Sequence, residues 1–502
     1  MKIREMIIAN RADCSGCEAC ANICPKNAIE ITRDAEGFAY PKINAELCIK
    51  CGRCDATCPA LNFKKKIPAA LPATFAAIHP DDKIRRYSSS GGIFSALSEI
   101  ILQSGGIVFG AAFDKNWHVF HTAAQNSNEL ENLRGSKYVQ SKIGNVYRQV
   151  KDALKSRQVL FSGTPCQCAA LKHFLGSDSD NLLTVEIICH GTPPPALWEY
   201  YIDMIGYAHE IEQVNFRSKR LGWKDPQLEI NFSDQGYKTA SLGKDLYGKF
   251  FTRNVSLRPS CSACKFRFPN GQADLTIGDA WGIEEFAPKM FDNLGTSIIF
   301  VHTQKGKAFF EQANLKRQQV SFVDATKKNP LFIAPTAADS RRGKFFAELA
   351  KSNDKLAVME KYYQQDDRKI SKETVKKYQL DYQKNLEDIF NQIRQQFAKN
   401  ILVVTNPVKE IQIKLENFFE RKFQNCGIYF LTVDKDDIFS CKETFSTLTF
   451  NFKDGNELAD FAKKFKWANV YVENPLNWKS NIFLEWLKSS GLPLQTFIQK
   501  LQ

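Results

Sequence analysis

The chain has 502 residues, 43% hydrophobic and 25% charged, with a formal charge of +13. That profile is of an ordinary globular protein and excludes a fibrous or disordered chain, and the length suits about two to four domains. No run reaches the ~18 uninterrupted apolar residues of a membrane span, since the best candidate, 93–113, is broken by Ser, Glu, Gln and Gly. A cysteine motif begins too early to leave room for a signal-peptide core. Fifteen cysteines in a chain this long do not make a secreted disulfide scaffold, so a reducing, cytoplasmic setting is expected. Lys and Arg are scattered without a nucleic-acid motif, and no nucleic-acid partner is expected.

Cys14, Cys17, Cys20 and Cys24-Pro25 have the spacing C-x2-C-x2-C-x3-C-P, and Cys48, Cys51, Cys54 and Cys58-Pro59 repeat it. Three cysteines at this spacing can hold three corners of an iron–sulfur cube, and the fourth, before proline, ligates the other cube. The expected sets are therefore Cys14, Cys17, Cys20 and Cys58 for one [4Fe–4S] cluster, and Cys48, Cys51, Cys54 and Cys24 for the second. Structural zinc sites use four ligands, usually as two separated pairs, and eight cysteines in a doubled pattern fit zinc poorly. The segment resembles bacterial-type two-cluster ferredoxins over roughly residues 8–62. The insert at 29–47 alternates apolar residues around Glu36-Gly37 and reads as a hairpin.

A charged, proline-bearing linker follows at 63–72, then a strand at 74–78. Ser88, Ser89, Ser90, Gly91 and Gly92 precede an amphipathic helix running to 102. Free backbone N–H groups at such a start suit an anion, although a plain helix cap has the same composition. Strands are expected at 107–113 and 117–124 around an Asp-Lys-Asn turn. A polar loop at 134–141 leads into a helix to about 157. Two apolar strands, from 159 and at 182–188, each end in a cysteine-bearing turn, at Cys166 and Cys189, which places one site at neighbouring strand ends. Cys261 and Cys264 supply a C-x2-C pair, and 273–282 reads as a short strand and tight turn. Cys166, Cys189, Cys261 and Cys264 could close a third [4Fe–4S] cluster or a zinc site, or be separate buried core residues.

Seven motifs then stand in order: Ser-Ser-Gly-Gly at 89–92, Gly-Ser-Lys-Tyr-Val-Gln-Ser at 135–141, Gly-Thr-Pro-Cys-Gln at 163–167, Cys-His-Gly at 189–191, Phe-Arg-x-Lys-x-x-Gly-Trp at 216–223, Cys-x-x-Cys-x-Phe at 261–266 and Ile-Gly-Asp-x-Trp-Gly at 277–282. Over about 70–340 the chain resembles the beta subunit of coenzyme F420-reducing hydrogenases and dehydrogenases, with plant hydroxymethyl-chlorophyll reductases as relatives. The resemblance implies FAD and a [4Fe–4S] cluster, with Cys166, Cys189, Cys261 and Cys264 as its ligands. It implies flavin contacts at Ser89, Ser90, Gly91, Gly92, Lys137, Tyr138, Gln140 and Ser141, with Thr164, Pro165, His190 and Asp279 beside the ligands. His190 and Lys219 are candidate proton donors. Cys168, where the family pattern has an apolar residue, reads as a small core residue.

One-electron clusters feeding a two-electron flavin make a converter, so the expected function is an iron–sulfur flavoprotein oxidoreductase. A ferredoxin or reduced F420 would be its redox partner, and an organic compound, sugar-linked among the candidates, its substrate. The rivals are an electron-transfer subunit of a larger hydrogenase or dehydrogenase, and a non-enzymatic cluster-bearing sensor or scaffold. Three clusters and FAD would bring the loaded chain to about +5.

The last third changes composition. Two helices are expected between 355 and 399, then strands at 401–405, 427–433, 447–452 and 470–473 with helices at 410–423 and 457–466. No glycine-rich phosphate loop accompanies them. The expected fold class is α+β: a two-cluster ferredoxin-type domain at 1–66, a central α/β flavin- and cluster-binding domain at 67–340, a helical region at 341–400 and a small α/β domain at 401–502.

Overall fold

The computed structural model describes residues 11–365 apart from 69 and 208, residues 376, 379–389 and 392, and six strands between 399 and 497. The chain divides into two compact units: 1–66 with 73–320 and 325–385, and 67–72 with 321–324 and 386–502. The cysteine-rich segment and the sheet-bearing segment, expected as separate domains, thus belong to one unit.

In the cysteine-rich segment, β1 (Ile29–Arg33) pairs antiparallel with β2 (Ala39–Ile43). Asp34 fixes the turn of this expected hairpin, its Oδ1 accepting from Glu36 N at 3.0 Å and Phe38 N at 2.9 Å. Two short helices, Ala19–Ile23 and Arg53–Thr57, pack on each other, one from each cysteine repeat.

The main sheet takes β3 (Ala73–Ile78), β4 (Ile107–Phe113), β5 (Val119–Ala124), β6 (Val159–Gly163) and β7 (Leu182–Ile187). Next, β8 (Ile211–Ser218), β9 (Gln227–Phe232) and β10 (Tyr237–Ser241) form a separate antiparallel sheet. Then β11 (Leu275–Asp279), β12 (Ser297–Val301) and β13 (Lys316–Gln319) complete the main sheet in the order β13-β3-β12-β11-β7-β6-β4-β5. Its centre, β4-β6-β7-β11, is parallel, and the flanking pairs are antiparallel. The sheet is therefore mixed.

Both faces of the sheet are covered, because adjacent residues of a strand point to opposite sides. Leu160 packs among Ile93, Leu97 and Ile101 of the helix Ile93–Gln103, whereas Phe161 packs among Tyr147, Val150, Leu171 and Phe174. Cys168 lies in this second layer, fully buried, as a core residue. With both faces sealed, the open ground is beyond the carboxyl ends of the parallel strands, where Gly163 lies opposite Glu186 and Ile187 opposite Ile277.

The second unit has its own sheet: β14 (Lys399–Thr405), β15 (Cys426–Val433), β16 (Phe439–Glu443), β17 (Thr449–Phe452), β18 (Trp467–Glu473) and β19 (Leu494–Phe497), ordered β17-β16-β15-β14-β18-β19. β15, β14, β18 and β19 run parallel, and β16 and β17 are antiparallel additions. Strands stand at the four expected places. Those at 439–443 and 494–497 were not read from the sequence, and the helices expected at 410–423 and 457–466 lie outside the described residues.

Candidate functional site

Cys14, Cys17, Cys20 and Cys58 line one small cavity, with Cys58 brought in from the second repeat. The arrangement follows from the two short helices. Each starts after a left-handed residue, Glu18 at φ 60° and Gly52 at φ 71°, so the chain turns sharply around its cysteines. Burial pushes the Cys17, Cys20 and Cys58 thiols far above or above their ordinary value, and the neighbouring sulfurs push the same way. Thiols crowded like this stay protonated unless a metal group takes them as thiolates. Among the described residues no three His, Cys, Asp or Glu side chains converge on a single ion. This donor set therefore fits an iron–sulfur cube better than zinc.

In the other set Cys51 is exposed, with Cys48 and Cys54 half-buried. Burial, then Asp55, raises the Cys54 thiol, and Cys48 is close enough to add to the effect. Cys24 is half-buried, its Sγ accepting from Ala28 N at 3.2 Å.

The third set gathers at the strand ends. Cys166 opens the helix Pro165–Leu175 after β6, Cys189 follows β7, and Cys261 and Cys264 come from the turn around Pro259–Ala263. Burial, with Cys264 and Cys261 beside it, pushes the Cys166 thiol up to about 12. Cys189 feels Cys261, Cys166 and Cys264, so the four sulfurs share one neighbourhood. Cys17 also feels Cys166, which places the buried ferredoxin set beside this one.

These four cysteines lie in the wall of a cavity of about 800 Å³, which Ser89, Ser90, Gly92, Lys137, Tyr138, Gln140, Ser141, Thr164, Pro165, His190 and Asp279 also line. The size is that of a small-molecule or cofactor site. Ser89 Oγ accepts from Ser136 N at 2.7 Å and so ties the Ser/Gly turn to the 135–141 loop. Ser141 Oγ meets His121 Nδ1 at 2.5 Å. Thr164 Oγ1 lies 3.1 Å from Cys166 Sγ, and Thr164 N donates to Gln167 Oε1 at 2.9 Å as helix cap. Lys137 Nζ donates to Asn132 O at 3.0 Å and Arg134 O at 2.8 Å, and burial holds its pKa down to about 7. Tyr138 stacks on Phe251 at 4.5 Å between centroids.

Two expected residues are placed otherwise. Gly91 does not line the cavity: a Cβ there would stand 2.5 Å from Ala77 O and 2.7 Å from Ser297 N, so close packing, not a ligand, demands glycine. Lys219 is buried outside the cavity wall, and its Nζ donates to Arg85 O at 2.5 Å, Leu294 O at 2.6 Å and Ser90 O at 2.7 Å. With three carbonyls as partners it fastens the Ser/Gly turn instead of donating a proton to a substrate. His190 does line the cavity, with Nε2 2.6 Å from Asn254 Oδ1 and its ring 4.8 Å from that of Phe251. Burial lowers its pKa to about 4, so it is a neutral side chain anchored to the protein.

The structure adds residues that sequence reasoning missed. Arg217 and Trp281 line the cavity, the guanidinium 5.3 Å from the centre of the Trp281 ring, and Trp281 stacks on Trp223 at 4.9 Å with 7° between planes. Arg258 joins the ferredoxin segment to the sheet: Nε donates to Cys14 O at 2.8 Å and Nη1 to Gln140 Oε1 at 3.0 Å. Glu18 accepts from Gly144 N at 2.9 Å, and Tyr147 OH donates to Cys17 O at 3.0 Å. Their motifs hold a signal for Arg217 and Trp281, which stand inside two of the seven. Arg258 has none beyond lying three residues before Cys261.

Residues 74–148 match the N-terminal part, and residues 156–328 the C-terminal part, of the family described as coenzyme F420 hydrogenase/dehydrogenase, beta subunit. Residues 13–62 match the 4Fe-4S dicluster domain. The F-type subunit of the F(420)H(2) dehydrogenase of Methanosarcina mazei is 24% identical over 352 residues, 67% of this chain and 92% of the relative. An uncharacterised protein of Methanocaldococcus jannaschii is 24% identical over 340 residues, 60% of this chain and 86% of the relative. A chain from the F420-reducing [NiFe] hydrogenase complex of Methanosarcina barkeri aligns over 51% of this chain and 85% of its own, at 16% identity and a TM-score of 0.37. No helix among the described residues is long and apolar enough to cross a membrane.

Proposed function

Because the chain belongs to the family of coenzyme F420 hydrogenase/dehydrogenase beta subunits and carries a 4Fe-4S dicluster domain, we propose that it is a cytoplasmic oxidoreductase with three [4Fe–4S] clusters and one FAD, passing electrons between a one-electron carrier and a two-electron organic substrate or F420-like compound. The observation that carries this reading is the single cavity walled by Cys166, Cys189, Cys261 and Cys264 on one side and by Ser89, Gly92 and Lys137 on the other. Iron–sulfur clusters move one electron at a time and a bound flavin accepts or releases two, so together they convert between the two modes.

The chain's own residues supply placement. Cys51, exposed beside exposed Lys50 and Arg53, is the point nearest to solvent in the cysteine series. The buried set of Cys14, Cys17, Cys20 and Cys58 comes next, then Cys166 and its partners, then the cavity. The backbone N–H groups at the start of the helix Ile93–Gln103 and the hydroxyl of Ser89 would hold the flavin's phosphates. Lys219 keeps that turn in place from behind. Tyr138, Trp281 and the Arg217–Asp279 pair give the cavity flat, water-excluding walls. His190, uncharged, holds the Cys189 loop against Asn254.

Anaerobic purification with iron, sulfide and flavin measured per chain tests the proposal. About twelve iron atoms and one FAD support it. About eight iron atoms with FAD would remove the third cluster, and folded protein that holds iron but refuses FAD would remove the oxidoreductase reading. The second reading, an electron-transfer subunit of a larger complex, is favoured by the relative that is named as one subunit of a dehydrogenase. Further subunits that co-purify, with no turnover by the isolated chain, would select it.

A further inference from the structure

We propose that Arg258 is the shared counter-ion of the two inner cysteine sets, and that it draws electrons from the exposed end of the cluster series toward the cavity. The proposal rests on the three-cluster reading. Arg258 is 1% exposed. A guanidinium taken out of water costs several kcal/mol unless an anion compensates it. Among the described residues no carboxylate forms an ion pair with it. Its side chain donates to Cys14 O at 2.8 Å, Gln140 Oε1 and Ala39 O at 3.0 Å, and Cys14 Sγ at 3.7 Å. Tyr40 and Phe38 cover it, with ring centroids at 4.1 and 5.4 Å. Glu18 feels its charge, but the Glu18 oxygens accept from the Ile143 and Gly144 backbone instead. Neutral partners satisfy its N–H groups and leave its charge unanswered.

The anions that answer it are the loaded cysteine sets. Four thiolates around a [4Fe–4S]2+ cube carry about −2, and about −3 after one electron is added. Arg258 touches Cys14 of one inner set, and its charge also reaches Cys166 and Cys261 of the other. None of its hydrogen bonds goes to Cys24, Cys48, Cys51 or Cys54. A fixed cation favours the more negative, reduced state of whatever lies beside it, so the inner clusters hold an electron more readily than the outer one. The step is a transfer of one electron. The outer cluster is oxidised by one charge, the inner one reduced by one, and no bond or proton moves.

The test is a redox titration of the anaerobically loaded full chain, with each cluster followed by its EPR signal and Cys51→Ser marking the outer one. Arg258→Met removes the charge. Gln140→Glu keeps the shape and puts a carboxylate beside Nη1, neutralising the cation in place. At the potential where the wild-type cluster of Cys14, Cys17, Cys20 and Cys58 is half reduced, either variant is expected to lower its reduced-to-oxidised ratio at least tenfold, ~59 mV for one electron, with the outer cluster unmoved. Arg258→Lys is expected to recover most of the loss. Inner clusters that titrate as in wild type, in either variant with full iron, would overturn the proposal, as would an equal shift of all three. Wild-type protein with about eight iron atoms would fail earlier and differently, by removing the three-cluster reading itself.

Discussion

Arg217 clasps Asp279 with two donors, Nη1 to Oδ2 at 2.9 Å and Nη2 to Oδ1 at 3.0 Å, where β11 ends at the cavity wall. Trp223 Nε1 adds a third hydrogen bond, to Asp279 Oδ1 at 2.8 Å. Removing one member of a buried pair strands the other charge and costs about 3–5 kcal/mol, whereas replacing both by apolar residues costs far less. Asp279→Ala is therefore expected to lose about that much stability. Arg217→Met with Asp279→Leu is expected to lose less than the two single changes summed. Urea unfolding of the four proteins under argon, read as a double-mutant cycle, checks this.

Crossed ligation predicts which cluster each proline-preceding cysteine supports. Cys58 shares a cavity with Cys14, Cys17 and Cys20. Cys58→Ser should therefore remove the EPR signal of the buried cluster and keep that of the exposed one, with a loss of about four iron atoms. Loss of the exposed cluster instead would mean that each repeat closes its own cube.

Glu186 gives the fold a pH dependence. Burial pushes its carboxyl from the ordinary 4.5 up to about 7, while Thr276 and the nearby charge of Lys66 offset part of the effect. Thr276 Oγ1, 2.8 Å from Glu186 Oε1, also meets His302 Nε2 at 2.7 Å. The folded chain holds this proton more tightly than the unfolded one. Its stabilising contribution is complete below about pH 4.5 and is lost as pH rises through about 7, a change of about 3 kcal/mol. Glu186→Gln should flatten the curve of unfolding free energy between those values. An unchanged slope would place the titration elsewhere.

Gly16 sits at φ +68°, and a Cβ there would stand 2.2 Å from Gln140 Nε2 and 2.7 Å from Arg258 Nη1. Gly16→Ala combines a left-handed backbone with a clash against the seam between ferredoxin segment and sheet. It is expected to loosen that seam and release iron from the Cys14 set before the Cys48 set. Iron content together with the two EPR signals reads the order. Gly52, which has open space around it, is the control, since alanine there adds only backbone strain.

Local features of this molecule were legible in the sequence because they are local. Cysteine spacing, the Asp34 hairpin and the buried run of β6 each depend on a few adjacent residues. What was missed depends on contacts across the chain. Arg258 reaches Cys14 over 244 positions, and no periodicity marks either partner. The strand β13 is Lys-Arg-Gln-Gln, exposed throughout, and has no apolar alternation to betray it. Gly91 looked like part of an anion turn because glycines demanded by packing and by ligands are spelled alike. Lys219 looked reactive inside its motif, and only the three carbonyls around it give its task.

The ferredoxin segment is bolted to the sheet by Arg258, Glu18 and Tyr147. A tethered donor has a fixed concentration at its acceptor, so passage from the Cys14 set to the Cys166 set would be first-order, indifferent to dilution and to salt. Delivery at Cys51, between Lys50 and Arg53, would be second-order and slowed by ionic strength. One chain thus joins a step that depends on meeting a partner to a step that does not, and the boundary between the two regimes runs through the ferredoxin segment itself.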